Sequence, residues 1–146
     1  MAGVVAATGT AARADNITMS GVACKNYNAA EALDIDFQDW GAQNVNTSLP
    51  RWVICPIPRS PFTSVPSPEF YADTANALGT ASSCIATLYS YQGTVITTFT
   101  WTAVSPSTDE QVTFSIAPTM WDYASWRCLL PANRGGTILG AAALAP

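Results

Sequence analysis

A chain of 146 residues that is 49% apolar and only 11% charged, against a usual charged share of about 25%, is not a disordered chain, and its length suits a single domain. A net charge of −4 with Lys25 as the one lysine excludes a nucleic-acid surface, which needs clustered Lys and Arg, and an adhesive face for anionic lipid. Histidine is absent, which removes the commonest general base and metal ligand along with Ser-His and Cys-His catalysis.

Residues 1–14 end in Ala12-Arg13-Ala14, an A-x-A pattern ahead of Asp15. They read as a secretory signal remnant or an N-terminal extension, with 15–146 as one domain. No run reaches the ~18–20 apolar residues of a membrane span. The stretch LDIDFQDW alternates Leu33, Ile35 and Phe37 against Asp34, Asp36 and Gln38. This period of two outweighs a helical turn over 28–35 and predicts a strand. Asp34 and Asp36 then share a wet face about 7 Å apart, with Asp39 turned away. An oxygen-rich D-x-D-x-x-D set suits Ca²⁺, although the glycine and distal glutamate of an EF-hand are missing. The plainer reading is a solvated strand face.

WVICPIPRS (52–60) predicts a core strand over Val53–Ile57 that runs out to a sheet edge at Pro56 and Pro58, where Arg59 marks its exit. The runs at 84–91 and 94–101, joined through Gly93, predict a hairpin. Cys84, Ala86 and Leu88 face one way and Tyr89 and Tyr91 the other. In the second arm Val95, Phe99 and Trp101 share a face. VTFSI (112–116), YASWRCLLP (123–131) and GTILGAAAL (136–144) supply further strands, with turn signals at 44–46, 60–61, 64–68, 105–107 and 133–136. Short strands with no long 3.6-period segment imply an all-β fold: an antiparallel two-sheet β-sandwich of about seven to nine strands.

Cys24, Cys55, Cys84 and Cys128 are widely spaced with no C-x-x-C pair. They read as two long-range disulfides in an oxidising compartment rather than as a zinc or redox site. Three pairings are open, and the expectation leans to Cys55–Cys128 with Cys24–Cys84. V-[VI]-C-P-[LI]-P-R at Val53–Arg59, C-x-x-x-L-Y-x-Y from Cys84, and YASxxCxLP at Tyr123–Pro131 resemble a broad group of small secreted bacterial proteins. The likeness spans about residues 20–140. It implies a secreted, disulfide-stapled sandwich and no activity.

Five tryptophans and five tyrosines divide between core and surface. Trp52, Trp101 and Trp126 sit beside strand apolars and are expected in the core. Trp121 falls in a loop and, with Tyr89 and Tyr91, is the candidate for stacking on sugar rings. Arg59 and Arg127 are expected to meet the scarce carboxylates as ion pairs. Asp109 and Glu110, or the aspartates at 34 and 36, are the residues a carboxylate hydrolase would use, but adjacent acids suit a solvated turn better. Asn16 and Asn46 match the N-glycosylation pattern and are read as unmodified. The functional expectation is a non-enzymatic extracellular or cell-surface structural protein, self-associating through terminal strands within 1–14 and 136–146. The alternative is a secreted carbohydrate-binding module with polysaccharide as partner. No catalytic residue and no cofactor beyond a weak Ca²⁺ site are expected.

Overall fold

The computed structural model describes residues 17–57, 69–114 and 121–143. The segment 1–14, Pro58, Arg59 and residues 144–146 lie outside them. Eleven strands form two antiparallel sheets among the described residues: β1 Ile17–Ser20, β2 Lys25–Asn26, β3 Ile35–Gln38, β4 Gly41–Asn44, β5 Arg51–Pro56, β6 Glu69–Asn76, β7 Ala81–Tyr89, β8 Val95–Val104, β9 Ser107–Thr113, β10 Tyr123–Leu130 and β11 Gly136–Ala143. Sheet one runs β3-β4-β11-β6-β9, with β1 also paired to β11; sheet two runs β2-β5-β10-β7-β8. The expected sandwich is present, with more strands than the pattern suggested. The extra ones are β1, β2 and β4, short pieces of 17–44 where periodicity over two to four residues is too brief to read, and the eight-residue β6, which the sequence pattern did not single out.

The two inner faces meet at Trp126. It is fully buried on β10, stacks on Trp101 of β8 at 6.0 Å between centroids, and meets Phe70 of sheet one at 6.4 Å. Removing about 200 Å² of indole from water at about 25 cal/mol per Å² contributes roughly 5 kcal/mol. Val53, Leu88, Leu130, Val112 and Ile138 complete the core around it. Trp101 and Trp126 are therefore in the core, as their apolar strand neighbours imply. Trp52 is not: it shares the outward face of β5 with Ile54, while Val53 and Cys55 point in.

Asn44 at the end of β4 ties the sheets together and is itself fully buried. Its amide nitrogen donates to the carbonyls of Leu49 (3.0 Å), Leu130 (3.0 Å) and Pro131 (3.1 Å), and its Oδ1 accepts from the Asn46 backbone N–H (2.9 Å). The Asn44 carbonyl in turn accepts from the Arg134 backbone N–H at 2.9 Å. Every polar atom of this buried side chain is used, which offsets its desolvation. The β10–β11 turn is thereby clamped to β4. Asn133 and Arg134 there take positive φ values of 54° and 59°, as the turn signal at 133–136 implies. Gly21 and Gly41 both press on the Ile138 carbonyl, where a Cβ on either would collide. The 3₁₀ turn Gly21–Ala23 and strands β4 and β11 converge at that point only because no side chain intervenes.

Two expectations are corrected. Ala29–Asp34 is a 3₁₀ helix rather than strand, capped by Asn28, whose side chain accepts from the Ala30 N–H at 3.1 Å. The cap gives the chain a local partner that competes with a sheet ladder. The disulfides are Cys24–Cys55 and Cys84–Cys128, each with Cα atoms 4.1 Å apart. Cys128 lies opposite Cys84 on β7 and opposite Val53 on β5, whereas Cys55 lies opposite Trp126. Cys55 and Cys128 are thus on neighbouring strands but two residues out of register. Cys24 precedes the β2 residue opposite Ile54 and so reaches Cys55. Each bond staples adjacent strands of sheet two, closing loops of 31 and 44 residues, worth roughly 4 kcal/mol each in a chain-entropy account. Disulfides of this kind suit an oxidising compartment.

Peptide mapping without reduction should recover Cys24 linked to Cys55 and Cys84 linked to Cys128. A Cys55–Cys128 peptide would contradict the register of β5 on β10.

Candidate functional site

Sheet two sends Tyr123, Ser125, Arg127 and Leu129 of β10 outward, because Trp126, Cys128 and Leu130 are committed to the core. Tyr89 of β7 lies opposite Tyr123. Their rings stack at 5.2 Å with planes 14° apart. Tyr123 remains 50% exposed, and Tyr91 and Trp121, just beyond the two strand ends, are each 69% exposed. The β7–β8 turn frames this group. Gly93 adopts φ 81° and the Gly93 N–H donates to the Ser90 carbonyl at 2.9 Å. A Cβ at Gly93 would lie 3.6 Å from the Tyr123 hydroxyl, so that ring rests over the turn. Gln92 Nε2 donates to the Tyr91 hydroxyl at 3.0 Å.

The rest of the face is hydroxyl-rich. Thr98, Thr100 and Thr102 of β8 are exposed opposite Thr87, Ile85 and Ser83 of β7. A bulge where Leu88 pairs with Thr97 but Tyr89 with Val95 shifts the phase of β8. Ile96 therefore packs toward the core and Val95 is 53% exposed, which corrects the inward placement of Val95. At the opposite end of the face, the Arg127 guanidinium lies 5.0 Å from the ring centroid of Tyr27 and 5.2 Å from that of Trp52, and Arg127 Nη1 donates to the Tyr27 hydroxyl at 2.9 Å. Among the described residues no carboxylate partner of Arg127 is present. Among the described residues, aromatic faces hold the cation instead.

The aspartates separate. Asp34 ends the 3₁₀ helix, where its Oδ2 accepts from Arg51 Nε at 2.6 Å, and Arg51 also reaches Glu31 at 3.6 Å. The hydrogen bond from Arg51, reinforced by one from Asn46, holds the Asp34 carboxyl below the usual aspartate range. Asp36 lies on β3 and accepts from Gln38 Nε2 at 2.6 Å. The Ca²⁺ pair expected of Asp34 and Asp36 on one strand face is not assembled, because Asp34 belongs to the helix and to Arg51. No group of three metal-ligating side chains occurs among the described residues. Asp109 lies opposite Asp73 on sheet one.

The strand-addition expectation meets a topological obstacle in its described part. β11 has β6 on one edge and β4 then β1 on the other, so 136–143 offers no free edge; the rest of the expected strands lies outside the described residues. Sheet one carries an open groove of about 570 Å³ across β1, β11 and β6, with Gly140 and Ala142 as its floor and Thr18, Ser20, Tyr71 and Asp73 beside them. It offers one aromatic ring, where sheet two offers four at one end.

Sequence reasoning found Tyr89, Tyr91 and Trp121 and missed Tyr123, Tyr27 and the Arg127 frame. Tyr123 starts an alternating strand, but its pairing with Tyr89 depends on register between strands 34 residues apart, which a linear pattern does not carry.

No family model and no curated protein matches this chain. Among solved structures it is similar to the CBM36-1 domain of a multidomain xylanase from the hindgut metagenome of Trinervitermes trinervoides, at 7% identity over 90% of this chain and 98% of that one, TM-score 0.48. It is also similar to a CBM36 carbohydrate-binding module in complex with calcium and xylotriose, at 12% identity over 90% and 95%, TM-score 0.34. Neither likeness is close enough to carry an inference about this chain's ligand. No helix among the described residues is long and apolar enough to cross a membrane.

The Asp34–Arg51 contact makes a pH prediction. The folded carboxyl pKa lies below that of the unfolded chain, so the pair contributes stability above about pH 4 and loses it as pH falls through the folded value. Asp34→Asn should flatten the fall in urea-unfolding stability below about pH 4; an unchanged acid slope contradicts the pairing.

Proposed function

We propose that this chain is an extracellular, non-enzymatic carbohydrate-binding domain that holds a saccharide on the outer face of sheet two. The observation that carries the reading is the exposed rings of Tyr91, Trp121 and Tyr123, with half-buried Tyr89 stacked on Tyr123, at the end of a hydroxyl-rich sheet. An aromatic ring presents a negative face, to which the electropositive C–H face of a pyranose is attracted. Neighbouring Ser and Thr hydroxyls both donate and accept, as sugar hydroxyls require. A contiguous exposed apolar group of this kind marks an interaction surface. The strands of sheet two carry no Asp or Glu, and Asp122, between Trp121 and Tyr123, is one acid where a paired-carboxylate hydrolysis uses two. Rigid strands also limit the ordering cost of binding.

The test is saccharide affinity of the whole chain and of Tyr123→Ala, by calorimetry or gel retardation in soluble polysaccharide. Loss of about 1–2 kcal/mol on removing one stacked ring corresponds to a drop of roughly 5- to 30-fold, with the near-ultraviolet spectrum of the core preserved. Unchanged affinity in Tyr123→Ala, or no binding across neutral and acidic polysaccharides, would overturn the reading.

A further inference from the structure

Charge divides between the two sheets. The strands of sheet two contain Lys25, Arg51 and Arg127 and no acid; those of sheet one contain Asp36, Glu69, Asp73, Asp109 and Glu110 and no base. Arg51 is taken by Asp34 and Glu31. That leaves Lys25 and Arg127 as the cations of sheet two. Both lie opposite Ile54, one on each side of β5, so they share a single cross-strand row on the outer face. Two strand spacings set them about 10 Å apart.

Arg127 is the unusual member of this pair. Its Nε is buried with no hydrogen-bond partner, and Tyr27 and Trp52 bracket the guanidinium. Among the described residues no carboxylate meets it. A buried N–H without an acceptor carries a cost, while Nη1 stays at the surface, donating to the exposed Tyr27 hydroxyl, and the two rings add only weak attraction. The chain has ten acids against six bases, yet this base lies on the sheet whose strands have no acid. A guanidinium is planar and presents several donors at once, which matches a carboxylate better than a neutral hydroxyl. Arg127 is four residues from Tyr123 on the same strand and face, about 13 Å away, with Ser125 between them. An extended oligosaccharide stacked on Tyr89 and Tyr123 would run along β10 to this row.

We propose that the ligand is a saccharide carrying carboxylates, a uronic acid polymer, with Arg127 as the carboxylate-binding residue and Lys25 adding to the field. This rests on the saccharide reading above and specifies its chemical class. The probes are oligogalacturonate and its methyl ester, which differ only in charge, titrated into the whole chain. At low salt the acid should bind at least about tenfold more tightly, and added salt should erode that preference by screening. Arg127→Gln should bring the two affinities together while leaving the ester's affinity within about twofold. The salt series and the ester comparison need only the unaltered chain, so they decide the matter even if Arg127→Gln fails to fold. Equal binding of acid and ester overturns the inference and leaves the saccharide reading standing; binding of neither also overturns the inference, and the saccharide reading is then decided by the neutral polysaccharides. Self-association that Arg127→Gln abolishes would assign the row to the acid-bearing sheet of a second copy and overturn the inference.

Discussion

The pleat of β10 is the constraint on which the rest depends. Strand residues alternate faces, so Trp126, Cys128 and Leu130 can be buried only if Tyr123, Ser125, Arg127 and Leu129 point out. The Cys84–Cys128 bond fixes β10 against β7 at one residue pair, and Trp126 between the sheets fixes which face is inward. A slip by one residue would bury Arg127 and expose the largest core side chain. The stack of Tyr123 on Tyr89 follows from the same register, five pairs along from the disulfide.

The ends of that strand are held by different chemistry. At its C-terminal end, Asn44 spends its amide on the Leu130 and Pro131 carbonyls and so joins β10 to sheet one. At its N-terminal end the support is softer: the tyrosine stack, the Gly93 turn and the bulge in β8. Buried, fully bonded polar groups specify one arrangement of a core, and the rings stand at the opposite end of the strand from that network.

The alternating run at 84–101 carries its strands, and Cys84, Ala86 and Leu88 share a face by period two alone; the burial of Trp126 follows from its apolar neighbours and the exposure of Trp121 from its place in a loop. The disulfide pairing was not legible, since it depends on which residues of separate strands face each other. The alternation of Leu33, Ile35 and Phe37 points Asp34 onto a strand, while the cap at Asn28 makes 29–34 helical. In the structure Leu33 is 95% exposed, so its part in that alternation was coincidental. Trp52 was assigned inward by its apolar neighbours, yet it shares a face with Ile54 and covers Arg127. The cation–aromatic frame combines residues 27, 52 and 127 and has no linear signature.

The most direct measurement is a backbone amide map of the isotope-labelled chain during titration with oligogalacturonate. The account predicts shifts that saturate together at Tyr89, Tyr123, Ser125 and Arg127, across the outer face of sheet two. Shifts confined to the groove of Thr18, Tyr71 and Asp73 on sheet one, or none at saturating saccharide, would contradict it.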